Sequence, residues 1–389
     1  MATIHKCLDV GAATLIQKDG HGGNGDITGY DNGFTKPPLI YLAAFHGRTE
    51  VVKLLLDQGA NPNTKYYNGT PVISHAIRSD KEETVRAFLD SGKYIDLEAR
   101  GKYNMTPLAI AARLHKPSIL KMLLASGRVD VEAEDEYGAT PVILAAITGN
   151  AEIVAMLAER NADLQVVPRR GRTALSYAAR FGHLEVIEFL CNKGVDPNIR
   201  NHDSRTPLFT ASKYGRLEAI RLLIAKGADP NAKDLSGNRP ILLATKRLHQ
   251  EATKLLIEYG AECKVCNDRG QSTLFFAARL ADTKFMDFVI EKGFDINTRD
   301  RDGRTALHLA TGCGDKRMAT RLLEKKADIN AVDQGNMTAL HYAVRYCTKM
   351  VKFLLKNGID QEIRDQNGHT AYDLVDEEDW EEYIEDACT

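Results

Sequence analysis

No apolar run in this 389-residue chain approaches the roughly 20 residues that a bilayer-spanning helix needs, so no membrane segment is expected. The opening residues, Met1-Ala-Thr-Ile-His-Lys-Cys-Leu8, lack the apolar core of a secretory signal. Cysteine is sparse and follows no spacing: the seven are Cys7, Cys191, Cys263, Cys266, Cys313, Cys347 and Cys388. An odd, scattered set speaks against a disulfide framework and for reduced thiols in the cytoplasm or the nucleus. Net charge is only −2, and no run of Lys or Arg exceeds two residues, as at Arg169-Arg170. A nucleic-acid binder carries a stronger basic footprint than that.

Motifs of catalysis and metal binding are missing too. There is no Gly-x-Ser-x-Gly elbow, no kinase signature set and no His-x-x-x-His pair. Cys263-Lys-Val-Cys266 stands alone, without the second pair of a zinc site or the strand-to-helix setting of a redox motif. The Gly-rich stretch Asp19–Asp26 lacks the preceding strand and the Lys-Ser/Thr ending of a phosphate loop, and reads as a flexible connection. No cofactor and no metal is expected.

What the chain has is repetition. The first Ala of a small-residue pair falls at Ala145, Ala178, Ala211, Ala244, Ala277, Ala310 and Ala343, a constant step of 33. Such a period marks a stacked-repeat architecture, in which each unit touches only its neighbours. Upstream the step loosens, through Ala43, His75 and Ala111, so the extra residues there belong in loops. Within one unit, Thr173 can cap a short helix of small residues, and Gly182-His183 turns the chain into a longer apolar helix. Gly194 ends that helix in a left-handed conformation, and Asp196-Pro-Asn198 begins a polar turn. The closing Gly is replaced by Asn161 in one unit and by Lys326 in another; Asn tolerates the conformation and Lys adopts it at a cost.

These units resemble ankyrin repeats, whose signature is a Thr-Pro-Leu-His-x-Ala box. It stands here as Thr70-Pro71-Val72, Thr106-Pro107-Leu108, Thr140-Pro141-Val142 and Thr206-Pro207-Leu208, and more fully as Thr305-Ala-Leu-His308-Leu-Ala310 and Thr338-Ala-Leu-His341-Tyr-Ala343. The resemblance covers about residues 33 to 376. It implies an all-α ankyrin-repeat solenoid of paired antiparallel helices with β-hairpin finger loops, capped at both ends. Residues 1–37 would form an N-terminal helical cap and the Gly-rich loop, 38–365 ten repeats, and 366–389 an acidic C-terminal capping half-repeat. The box histidines His308 and His341 would serve hydrogen bonding within the repeat. Residues 366–389 hold nine Asp and Glu and no Lys or Arg, which leaves fifty-one basic against forty-four acidic side chains in residues 1–365, a balance of +7.

The resemblance also implies where a partner binds. In ankyrin stacks the two positions after the Ala pair face a concave groove, and here they supply Arg113, Arg180, Phe181, Lys213, Tyr214, Lys246, Arg247, Arg279, Arg345 and Tyr346. Repeats about 10 Å apart would set the central ones into a cationic and aromatic ladder some 30 Å long, of the residue types that binding hot spots favour. The competing reading is a solvated basic face, because an Arg stem also packs along a neighbouring helix. The Arg169-Arg170 finger, with Tyr66, Tyr67 and Tyr137, is the second choice for contact. The expected function is therefore a non-catalytic protein–protein interaction scaffold or adaptor, a monomer, whose partner is another protein with an acidic or aromatic segment. Two alternatives stay open: an enzyme or small-molecule site hidden in the groove, and nucleic-acid binding through basic and aromatic side chains. None of the twenty groove positions is Asp or Glu, which weighs against the former.

Overall fold

The computed structural model describes residues 37–169, 171–279, 282–347, 349–375 and Trp380. The expected N-terminal helical cap and Gly-rich loop of residues 1–36, Arg170, Leu280 and most of the acidic terminal segment lie outside the described residues.

Among the described residues, ten helix pairs follow one another. They divide into two compact units, one of Met1–Thr148 with Glu152–Ala162, the other of Gly149–Ala151 with Asp163–Thr389. In the first unit the inner helices Leu39–Phe45, Val72–Arg78, Pro107–Arg113 and Pro141–Thr148 pack in succession, the first three backed by the outer helices Thr49–Asp57, Glu82–Leu89 and Pro117–Ala125; the helix Ala151–Glu159 follows, all but its first residue in the same unit. In the second, the inner helices run Ala174–Phe181, Pro207–Lys213, Pro240–Lys246, Thr273–Ala278, Ala306–Gly312 and Ala339–Tyr346. Their outer partners are Leu184–Asn192, Leu217–Ala225, Gln250–Glu258, Thr283–Glu291, Lys316–Glu324 and Lys349–Lys356. Each unit is an all-α ankyrin-type stack.

Local chemistry accounts for these elements. Thr106, Thr173 and Thr206 accept, through Oγ1, the backbone N–H three residues on, at 3.3, 3.2 and 3.4 Å, satisfying one of the orphan donors of a helix start. Proline at the first helical position, as in Pro107 and Pro207, needs no N–H there. The Ala pairs are fully buried (Ala111-Ala112 and Ala178-Ala179 at 0%), so that successive inner helices approach closely. Outer helices bury one apolar stripe, Thr84, Val85, Ala87 and Phe88 in one and Ala219, Ile220 and Leu223 in another. Asn161 and Lys326 take the left-handed conformation of the glycines they replace, at φ 59° and 67°.

Repeats are also joined by polar bonds that recur with the period. Asn198 Oδ1 accepts from Asp229 N at 2.7 Å while its Nδ2 donates to Gly227 O at 2.9 Å, and Asn231 does the same to Glu262 N and Gly260 O at 2.8 and 3.1 Å. Asn63 forms the equivalent pair in the first unit, with Asp96 N at 2.8 Å and Tyr94 O at 3.0 Å. The fingers close on an Asp or Asn whose N–H donates to the carbonyl four residues on, as in Asp234 to Asn238 at 2.9 Å and Asp300 to Arg304 at 2.9 Å. One finger carries a two-stranded antiparallel ladder, Lys65–Tyr66 with Thr70–Pro71, and another a single bridge between Cys266 and Ser272. Successive fingers are tied backbone to backbone: Asp268 N to Ser236 O at 3.1 Å, Arg301 N to Arg269 O at 2.8 Å, Gln334 N to Asp302 O at 2.9 Å.

His308 is 1% exposed and spans two repeats. Its Nδ1 accepts from Thr305 N at 3.1 Å, and its Nε2–H donates to Met337 O at 3.0 Å. Burial pushes its pKa below the ordinary histidine value, against the smaller opposing pull of the Met337 carbonyl. Both folded and unfolded chains are neutral at this site above the unfolded value of about 6.5, and the contribution to stability is complete there. As pH falls below it, the unfolded chain takes up a proton that the folded one refuses, and stability declines until the lower folded pKa is passed. Each tenfold difference in proton affinity is worth about 1.4 kcal/mol. The urea midpoint of the second unit is expected to drop between pH 7.5 and 5.5, and to drop less in His308→Gln. Equal pH dependence in the two would contradict the assignment.

Candidate functional site

The cations expected from the sequence stand at the carboxyl ends of inner helices in the second unit. Arg180 is the penultimate residue of Ala174–Phe181, Lys213 ends Pro207–Lys213, Lys246 ends Pro240–Lys246, and Arg279 follows Thr273–Ala278. The position is locally favourable, since a positive charge complements the partial negative charge of a helix C-terminus. Partners from the next repeat hold these ends in place: Arg216 Nε donates to Arg180 O at 3.0 Å, and His249 Nε2–H to Lys213 O at 3.1 Å.

Side chains then meet across repeats. The Arg180 guanidinium lies 5.2 Å from the Phe181 ring centre and 4.9 Å from that of Tyr214, and Lys213 Nζ lies 5.6 Å from the same Tyr214 ring. One ring thus receives a cation from its own repeat and another from the repeat before it. Lys246 Nζ reaches forward to Phe276, at 5.6 Å. Phe181, Lys246, Arg247 and Arg279 are exposed, while Arg180, Lys213 and Tyr214 are half-buried.

The electrostatics of this row are unbalanced. Burial pushes the Lys213 ammonium below its ordinary pKa; the cations Arg247, Arg205 and Arg172 push the same way, and only Tyr214 opposes them. Arg205 is engaged with Asp203 at 3.0 Å and Asp234 at 3.2 Å. An open depression of about 340 Å³ between three fingers is lined by Lys246, Arg269 and Arg301, with Asp268 as its one carboxylate and Asn267 and Gln271 as further donors. Three cations around one acid make a seat for a carboxylate side chain.

Other expected residues stand apart. Repeat nine supplies Gly312 and Cys313 at the equivalent positions, which separates Arg345 and Tyr346 from the row. Arg345 lies 5.8 Å from the Tyr346 ring, which is 61% exposed. Arg113 belongs to the first unit, where its guanidinium is 5.7 Å from the Tyr103 ring and its Nη1 3.9 Å from Met105 Sδ. Arg169 is exposed in its finger, and so are Tyr67 and Tyr137. The sequence reading passed over Arg172 and Arg205. They share one column of the 33-residue period, immediately before the capping Thr173 and Thr206, and extending the column reading by one place would have found them.

Among the described residues no group of three His, Cys, Asp or Glu side chains is placed to hold a metal ion, and no helix is long and apolar enough to cross a membrane. Cys266 is exposed, and Cys263 Sγ faces Ala261 O at 3.8 Å. A family model described as ankyrin repeats, three copies to a match, fits the chain in overlapping windows: 14–100, 39–135, 75–168, 108–201, 166–234, 208–300, 241–333 and 274–365.

Proposed function

The chain belongs to the ankyrin-repeat family, and from that premise we propose that it is a non-catalytic adaptor or scaffold of the cytoplasm or nucleus, binding another protein through the inner-helix and finger face of its second unit. Ankyrin repeats are in general protein-interaction modules and typically have no catalytic role. The observation that carries the reading is the Tyr214 ring with Arg180 and Lys213 on it, continued by Lys246, Arg247 and Arg279 with no acid at the equivalent positions. Cations and aromatics held by their own repeats lose little conformational freedom on binding, which favours affinity. The partner they suit is a segment with acidic side chains spaced to meet successive repeats. Arg345, Tyr346, Arg169 and Arg170 extend the contact in the same reading, and Arg113 is a separate contact on the first unit.

The test compares affinity capture by the wild-type chain and by Lys213→Glu/Lys246→Glu, both checked for folding. Hot-spot residues account for 2 kcal/mol or more, so a partner bound through them should weaken by about thirtyfold or more. A partner retained equally by both proteins would move the site to the Arg169-Arg170 finger and leave the basic row as helix-end packing.

A further inference from the structure

Two fingers in the middle of the second unit lack a charge pair that their neighbours carry. In the fingers on either side, Asp203 meets Arg205 at 3.0 Å and Asp302 meets Arg304 at 2.6 Å. One period apart, the same two places hold Ser236 and Asn238 in one intervening finger and Arg269 and Gln271 in the next. The acid is missing from both, and in the second a cation replaces it. The depression of about 340 Å³ opens at this break, lined by the exposed cations Lys246, Arg269 and Arg301. Among the described residues none of the three forms an ion pair. Three positive charges against the single carboxylate of Asp268 leave a surplus of two.

We propose that this depression seats the phosphate of a phosphorylated side chain on the partner protein, so that association depends on the partner's phosphorylation. The inference rests on the reading of this face as protein-binding and names what the partner must carry. A carboxylate brings one negative charge and leaves half of the surplus unmatched. A phosphate monoester brings about −1.5 to −2 at neutral pH, with three acceptor oxygens, and matches it. Each guanidinium can present two parallel N–H donors to those oxygens, and Lys246 adds a point charge. The two arginines leave from adjoining points of the finger stack, since Arg301 N donates to Arg269 O at 2.8 Å. Gln271 Oε1 accepts from Asn267 Nδ2 at 3.2 Å, which leaves the Gln271 amide NH2 to donate into the depression. The surroundings limit the ligand to one phosphate on a peptide. Asp203 and Asp302 interrupt the basic row along the fingers, so the continuous cationic track that a nucleic-acid strand needs does not form. Leu235, 69% exposed at the rim, offers an apolar contact to a residue beside the phosphate.

The experiment is an NMR titration of the full-length chain, followed at the side-chain Nε–H signals of Arg269 and Arg301 and at the backbone amides of Gly270 and Gln271. The probes are N-acetyl-phosphoserine amide, N-acetyl-glutamate amide and adenosine monophosphate. The phosphoserine probe is expected to bind about three- to tenfold more tightly than the glutamate probe, the range that one or two further exposed ion pairs support. In Arg269→Gln/Arg301→Gln that preference is expected to vanish at the Gly270 and Gln271 amides. Equal affinities in wild type overturn the phosphate assignment and leave the acidic-partner reading standing. A preference retained by the variant overturns it as well. Adenosine monophosphate bound more than about tenfold more tightly than phosphoserine would give the seat to a nucleotide and overturn the protein assignment. Should the variant unfold, wild type decides by location: phosphoserine shifts that spare Arg269 and Arg301 overturn the proposal. Failure of the underlying reading shows separately, as capture of one partner equally by wild type and Lys213→Glu/Lys246→Glu, and overturns both.

Discussion

Phe88→Ala is expected to destabilise the first unit by about 3–5 kcal/mol, the cost of removing a large buried side chain and leaving a cavity. Phe88 has no exposed surface and sits in the apolar stripe of Glu82–Leu89, which packs against Thr49–Asp57 on one side and Pro117–Ala125 on the other. The cavity thus opens in an outer helix that packs on both of its neighbours. Because each repeat is held only by its neighbours, loss at an interior repeat separates those on either side of it. Set against the roughly 5–15 kcal/mol that a folded domain has in total, the first unit should unfold at much lower urea and exchange its amides before the second does. A midpoint that moves by less than about 1 kcal/mol in free energy would mean that the neighbouring helices close over the gap.

Gly270→Ala is expected to loosen the finger stack of the second unit by about 2–4 kcal/mol, combining a left-handed penalty of about 1–2 kcal/mol with the loss of a backbone hydrogen bond. Gly270 has φ +71°, and a Cβ there would lie 2.7 Å from the backbone of Asp300 and from Arg301 N. That same N–H donates to Arg269 O at 2.8 Å and ties one finger to the next. Backbone cannot swing aside as a lysine side chain can, so the bond must lengthen. Gly194→Ala is the control: its φ is +86°, but nothing lies within 4 Å of the added carbon, and only the conformational part of the penalty should appear. Urea unfolding of both variants, with hydrogen exchange at Arg301, separates the two contributions. Equal losses would show that the close approach between fingers carries no weight.

The fold was legible because one pattern was written ten times. The 33-residue step, the capping Thr and the closing Gly each announce a local conformation, and errors at one repeat are corrected by the next. Even the exceptions read correctly, Asn161 and Lys326 adopting the left-handed turn in place of Gly. The proposed binding face was legible only by column. Periodicity placed Arg180, Lys213 and Lys246 on equivalent helix ends, yet it did not show that Arg180 crosses to the ring of Tyr214 in the following repeat. Such a contact depends on side-chain torsions and on the distance between repeats, neither of which a sequence states. The proposed phosphate seat escaped for a related reason: its signal is the absence of an Asp that other fingers have, and Lys246 joins Arg269 and Arg301 from an inner helix rather than a finger.

The asparagine bridge that recurs at Asn63, Asn198 and Asn231 has a consequence for the length of the chain. Asn198 and Asn231 offer the same acceptor and the same donor to the same two backbone atoms one repeat on. A block of one period removed between them would rejoin Asn198 to the partners of Asn231 with no polar group left over. Where two neighbouring repeats both carry this asparagine, whole blocks can be lost or gained between them with the junction still matched.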